Sequence, residues 1–151
     1  MAKLKTGDPA PAFEAVDQDG NMKTLADYRG RKLILYFYPK DNTPGCTAEA
    51  CSLRDGRDTL RRMGFEVVGV SPDSEKSHQG FIAKQGLNFT LLADTDKKIA
   101  EAYGVWGEKK FMGRTFMGIL RTTFVIDEQG VIEKIFDKVR TKDHFEQIVE
   151  A

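Results

Sequence analysis

The chain has two cysteines, Cys46 and Cys51, five positions apart in the stretch YPKDNTPGCTAEACSLRDG, Tyr38 to Gly56. Thr43 can serve as a helix N-cap and Pro44 as the first helical residue, so a helix is predicted from here to a glycine stop at Gly64. Cys46 then falls third in the helix. Its sulfur would face the unpaired N–H groups and positive dipole end of the first turn, which favour a thiolate. The competing reading makes Cys46 a small buried hydrophobe on the inner helix face with Ala50, Leu53 and Leu60. The polar, sharply turning lead-in PKDNTPG weighs against that reading, because it sets hydroxyl and backbone donors around the sulfur that packing alone does not require.

The spacing adds a constraint. Five helical residues rise about 7.5 Å and turn about 500°, leaving the Cα atoms roughly 8–9 Å apart with side chains on different faces. A disulfide rarely tolerates more than about 7 Å. A bond between the two sulfurs therefore requires the first turns to unwind, which the backbone freedom of Gly45 and the low cost of opening a helix end permit.

Bulk properties narrow the setting. A chain of 151 residues fits a single domain, 1–151. Lys plus Arg number 23 and Asp plus Glu number 23, so no net field draws the chain to nucleic acid or an anionic membrane. The apolar run Leu33 to Tyr38 is far too short to span a bilayer, and a soluble protein is expected. No apolar stretch follows the lysines of MAKLKTGDPAPAF, so no secretory signal is read there and a reducing cytoplasm is the expected location. In that compartment a close cysteine pair suits transient redox chemistry better than a structural disulfide. Zinc is a weak alternative, since His78 and His144 lie far along the chain without ligand spacing.

The elements that must position the cysteines alternate. DQDGN, Asp17 to Asn21, reads as a hairpin turn, and KLILYFYP, Lys32 to Pro39, as a central strand buried on both faces. Phe65 to Ser71 has the same character. A capped helix is predicted from Ser74 to Gly86, a strand from Phe89 to Asp94 and a short helix from Asp96 to Gly104. Two strands follow between Thr122 and Phe136 around a turn at Asp127 to Gly130. A last helix spans Thr141 to Ala151, with Phe145, Ile148 and Val149 as its apolar stripe. This order predicts an α/β fold with a mixed central sheet between helices, and an active edge where the strand ending at Pro39 feeds the Cys46 helix.

These residues resemble a known family. Pro39, Thr43 and Cys46 in PKDNTPGC match the P-x-x-x-T-x-x-C active-site motif of peroxiredoxins, and Cys51 in CTAEAC resembles the bacterioferritin comigratory protein (PrxQ) subfamily. The likeness extends through GDPAPAF, VVGVSPDS, NFTLLADTD and GILRTTFVID. It implies a thioredoxin-like fold and reduction of hydrogen peroxide and organic hydroperoxides, with no metal, flavin or haem and with thioredoxin as reductant. It also implies a peroxidatic role for Cys46, a resolving role for Cys51 through an intramolecular disulfide, and substrate binding by Thr43, Gly45, Cys46 and Arg121. Pro39 would shield the sulfur from water. Glu49 is read either as a support that orients Arg121 or as a solvated helix carboxylate. With no cysteine between Cys51 and Ala151, an intersubunit disulfide is not expected and a monomer suffices.

Two other functions compete. A thiol–disulfide oxidoreductase for protein substrates would generally carry C-x-x-C, which this chain lacks. A redox sensor would use the opened helix to bind a partner. The segment Gly107 to Gly118 is read as ordinary loop packing, the alternative being an approach for hydroperoxides with apolar tails lined by residues such as Phe116.

Overall fold

The computed structural model describes residues 4–151, so the part of the leader reading that rests on residues 1–3 lies outside the described residues. Five strands form the central sheet in the order β5 (Thr90–Ala93), β4 (Phe65–Ser71), β3 (Lys32–Phe37), β8 (Thr122–Ile126), β9 (Ile132–Phe136). Strands β3, β4 and β5 run parallel, while β8 and β9 pair antiparallel, so the sheet is mixed as expected.

β3 shows why the sheet must be covered twice. Leu33, Leu35 and Phe37 point into one apolar cluster, whereas Ile34, Tyr36 and Tyr38 point into another. A continuous apolar run of period two fills both faces. The second cluster is capped by the long helix α1 (Pro44–Arg62), by α2 (Glu75–Gln85) and by the closing helix α4 (His144–Glu150). The first cluster packs against α3 (Lys98–Ala102) and its flanking residues Tyr103 and Val105. A hairpin, β1 (Glu14–Val16) with β2 (Met22–Thr24), turns at the predicted place, with Gly20 at φ 80.

Helix ends follow local chemistry. The Ser74 side chain accepts from Ser77 N at 3.2 Å, and Gly86 closes α2 in the left-handed conformation at φ 62. The closing stripe behaves as predicted: Ile148 is buried, with Phe145 and Val149 packed beside it. α4 lies so tightly on α1 that a Cβ on Gly56 would stand 2.1 Å from the Phe145 ring.

The segment read as a loop is instead an ordered hairpin. β6 (Trp106–Phe111) pairs with β7 (Arg114–Ile119) around Met112 and Gly113, both at positive φ. Two consecutive left-handed residues make the kind of turn that matches the strand twist, a signal carried in the sequence only by Gly113. Phe111, Met112, Phe116 and Met117 are exposed on it. No helix among the described residues is long and apolar enough to cross a membrane.

Candidate active site

β3 ends at Phe37, two residues before the predicted Pro39, and the chain enters the lead-in loop before α1. Asp41 anchors this loop. Its carboxylate accepts from Tyr38 Oη at 2.6 Å and Ser77 Oγ at 2.7 Å, and meets His78 Nδ1 at 2.7 Å, while its backbone N–H donates to Asp73 Oδ2 at 2.6 Å. Burial alone would raise the Asp41 pKa, but the hydrogen bonds from His78, Tyr38 and Ser77 outweigh it and hold the carboxyl below its usual value. Asn42 then takes a left-handed turn at φ 64, and Thr43 sits at the N-cap.

Thr43 occupies its predicted position without capping through its side chain. Its hydroxyl donates to Lys40 O at 2.8 Å, closing the loop. The proton is thus committed backwards, and the oxygen lone pairs remain to accept from a substrate O–H. Pro39 is half-buried in the same loop.

Cys46 is the third residue of α1 and is 1% exposed, within the cluster that holds Ala50, Leu53 and Leu60. The packing reading is therefore correct as far as it goes. The sulfur has in addition a charged neighbour: Arg121 Nη2 donates to Sγ at 3.3 Å, and Nη1 of the same guanidinium donates to Glu49 Oε1 at 2.6 Å. Arg121 lies one residue before β8, next to the cysteine strand β3 in the sheet. Gly45 leaves room for it, since a Cβ there would stand 3.3 Å from Arg121 Nη2.

Glu49 is fully buried, so its reading as a solvated helix carboxylate is corrected. It falls one turn after Cys46 on the face of α1 that meets the sheet. Burial pushes its carboxyl up to about 7, against the partial opposition of Arg121. Burial draws the Arg121 pKa down, but the charges of Glu49 and Cys46 more than offset this and leave it raised.

Cys51 faces elsewhere. Its thiol meets Gln85 Oε1 at 3.6 Å at the end of α2, and both cysteines are free thiols in one unbroken helix. Beside Arg121 opens a cavity of about 570 Å³, lined by Tyr103, Val105, Leu120, Phe124 and Ile135 among others. Lys109 is the hairpin residue that reaches it, and Phe116 does not line it.

Three residues near the site were missed in the sequence. Tyr36, opposite the helix on β3, is buried with its hydroxyl unpartnered among the described residues. Thr123 and His144 meet at 2.8 Å, and His144 Nε2 lies 3.6 Å from Glu49 Oε2. The sequence separation that set His144 apart as a metal ligand concealed this. Its one local signal is a histidine in the first turn of a helix, where a charged ring would oppose the dipole.

A family model described as the AhpC/TSA family matches residues 6–135. The chain is 51% identical over 150 residues to a putative peroxiredoxin bcp of Haemophilus influenzae, covering 99% of this chain and 97% of that one. It is 48% identical to peroxiredoxin Bcp of Escherichia coli K12, covering 99% and 96%. Among solved structures, a cysteine-to-serine mutant of Xylella fastidiosa PrxQ superposes with a TM-score of 0.92 at 34% identity, over 99% of this chain and 96% of that one. The Xanthomonas campestris bacterioferritin comigratory protein, solved in a study of its alkyl peroxide reduction, gives 0.86 at 35% identity over 91% and 88%. With a thiol, a threonine and an arginine already gathered at the mouth of a thioredoxin-like sheet, the chain belongs to the AhpC/TSA family, in its bacterioferritin comigratory protein (PrxQ) branch of the peroxiredoxins.

Proposed function

We propose that this thiol peroxidase works through Cys46 as the peroxidatic residue and Cys51 as the resolving one, with thioredoxin returning the electrons. The observation that carries this reading is the single guanidinium that spans Cys46 Sγ and Glu49 Oε1. It supports an anionic sulfur and offers donors where a peroxide oxygen gains charge.

The Cys46 thiolate attacks the terminal oxygen of the hydroperoxide. An S–O bond forms, the O–O bond breaks, and the other oxygen leaves with its electron pair to take a proton as water or alcohol. Thr43 accepts from the peroxide O–H, Arg121 donates to its oxygens, and Pro39 keeps bulk water from the sulfur. The sulfenic acid is electrophilic. Attack by the Cys51 thiolate forms the S–S bond and expels the sulfenic oxygen as water. A reduced dithiol partner then restores both thiols and is itself oxidised.

The middle step requires movement, because Cys46 faces Arg121 while Cys51 faces Gln85 on another side of the same helix. Local unwinding of the first turns of α1 brings the sulfurs together. The cycle closes within one chain, so a monomer is the functional unit, and it suits a reducing cytoplasm.

The test is the intact mass of fully reduced protein after one equivalent of hydrogen peroxide, under denaturing, non-reducing conditions, with peptide mapping. Loss of two hydrogens with Cys46 joined to Cys51 is expected. Added oxygen on Cys46 beside a free Cys51 would remove the resolving role, and an unchanged mass would remove the peroxidase mechanism itself.

A further inference from the structure

The chain of side chains that begins at the sulfur does not stop at Glu49. Oε1 of Glu49 is held by Arg121, whereas Oε2 is buried and has no hydrogen-bond partner among the described residues. The polar atom facing it is Nε2 of His144, 3.6 Å away and itself fully buried. That is too long for a formed hydrogen bond and short enough for one to close with a small movement.

The neighbours of His144 determine which nitrogen carries the proton. Gln147 Nε2 donates to Lys138 O at 3.0 Å, and Gln147 Oε1 accepts from Arg140 N at 2.9 Å, so the orientation of the amide is set. His144 Nδ1, 2.9 Å from the same Oε1, must then donate. Nε2 is left as the lone-pair nitrogen, and its single lone pair accepts either from Thr123 Oγ1 at 2.8 Å or, once that hydroxyl rotates away, from a proton on Glu49 Oε2. An ionised Glu49 would present another lone pair to it. One proton resolves the contact.

We propose that His144 is a positioning residue for the peroxidase reaction, binding the proton-bearing Oε2 of Glu49 and so fixing the carboxyl group that holds Arg121 against Cys46. The proton belongs on the carboxyl, because burial raises Glu49 to about 7 and lowers His144 to about 4. When Glu49 carries that proton, the charge of Arg121 is left to the sulfur. The titratable and charged groups around the pair come from every packed element: Cys46 from α1, Tyr36 from β3, Arg121 before β8, and Arg140 and Asp143 before α4. Arg140 and Asp143 are themselves paired at 3.2 Å. α4 is a firm support for the ring, since Phe145 N donates to Ser52 Oγ on α1 at 3.0 Å.

The positioning role rests on the peroxidase reading, whereas the Glu49–His144 contact does not. Two readouts on the full chain separate them: the pH titration of the carboxylic C=O infrared band of Glu49, identified by its loss in Glu49→Gln, and the rate of Cys46 oxidation by hydrogen peroxide. In His144→Phe the band midpoint should move by about one pH unit or more, and the rate should fall about tenfold. His144→Gln, which keeps a polar atom near Oε2, should recover much of that rate while its midpoint still moves. An unmoved midpoint in the folded variants overturns the inference, and so does a moved midpoint with an unchanged rate in His144→Phe. Should His144→Phe fail to fold, His144→Gln decides through its midpoint. A wild-type chain inert to peroxide overturns the peroxidase reading instead, and the band still decides the contact.

Discussion

Arg121 and Glu49 meet over 2.6 Å where the carboxyl group is completely buried and the arginine side chain is 24% exposed. Because the same guanidinium reaches Cys46, one planar fork serves two acceptors at once. Lysine, a compact charge on a flexible stem, has no rigid plane to hold both acceptors in register. Arg121→Lys should lower the rate of Cys46 oxidation by hydrogen peroxide roughly a hundredfold. Stopped-flow measurement of that rate decides it, and a value close to wild type would remove Arg121 from the reaction.

Gly45 tests the same geometry from the opposite side. A methyl group at this position would press on Arg121 Nη2 at 3.3 Å, in the first turn of a helix that otherwise welcomes alanine. Gly45→Ala should slow peroxide reduction about tenfold while leaving stability unchanged or slightly raised. Equal losses of rate and melting temperature would point to a folding defect instead.

Cys51→Ser separates the two halves of the cycle. The first turnover should survive, because Cys51 touches Gln85 and not the peroxide site. Sustained thioredoxin-linked turnover should be lost, and the sulfenic acid on Cys46 should persist long enough to be trapped by dimedone. Full turnover in this variant would exclude the resolving role.

Stability should depend on pH through a cancellation. Burial raises Glu49 from 4.5 to about 7, so the stability contributed by its proton is complete below 4.5 and lost as pH rises through about 7. Burial lowers His144 from 6.5 to about 4, so its contribution is complete above 6.5 and lost as pH falls through about 4. In the shared window the two slopes oppose each other, each about 1.4 kcal/mol per pH unit, and folding in effect passes one proton from His144 to Glu49. Glu49→Gln should therefore leave a stability that rises with pH there, and His144→Gln one that falls. Urea midpoints across the window read both signs. Flat profiles in both variants would contradict the assignment.

The contact between α1 and α4 is the most sensitive to added volume. The Phe145 ring lies across Gly56, where a Cβ would stand 2.1 to 2.6 Å from ring carbons. Gly56→Ala should cost about 3 kcal/mol and lower the melting temperature by roughly 10 °C, despite the better helix propensity of alanine. A raised melting temperature would show that α4 shifts freely.

The two faces of β3, the cap and stop of α1 and the closing stripe of α4 were legible because each is written in a local pattern. Thr43 and Cys46 were legible through a motif, and Arg121 only through the family resemblance that the motif opened. The burial of Glu49 was not, since a glutamate inside an amphipathic helix looks the same whether it faces water or an arginine from a distant strand. His144 was hidden for the same reason: two of its partners come from β8 and α1, and only Gln147 lies one turn along its own helix. The hairpin from Trp106 to Ile119 was obscured by exposed aromatic and methionine residues, which blur the alternation a half-buried strand would show.

The anchoring of Asp41 by Tyr38, Ser77, His78 and Asp73 has a consequence for how quickly the enzyme can be used again. In the proposed cycle this tether would hold the wall bearing Thr43 while the helix opens, so that only the turns from Cys46 to Cys51 would have to be rewound after reduction. Helix rewinding takes roughly 0.1–1 μs, so in that cycle the reset would be a local reflex, fast beside a bimolecular encounter with the reductant.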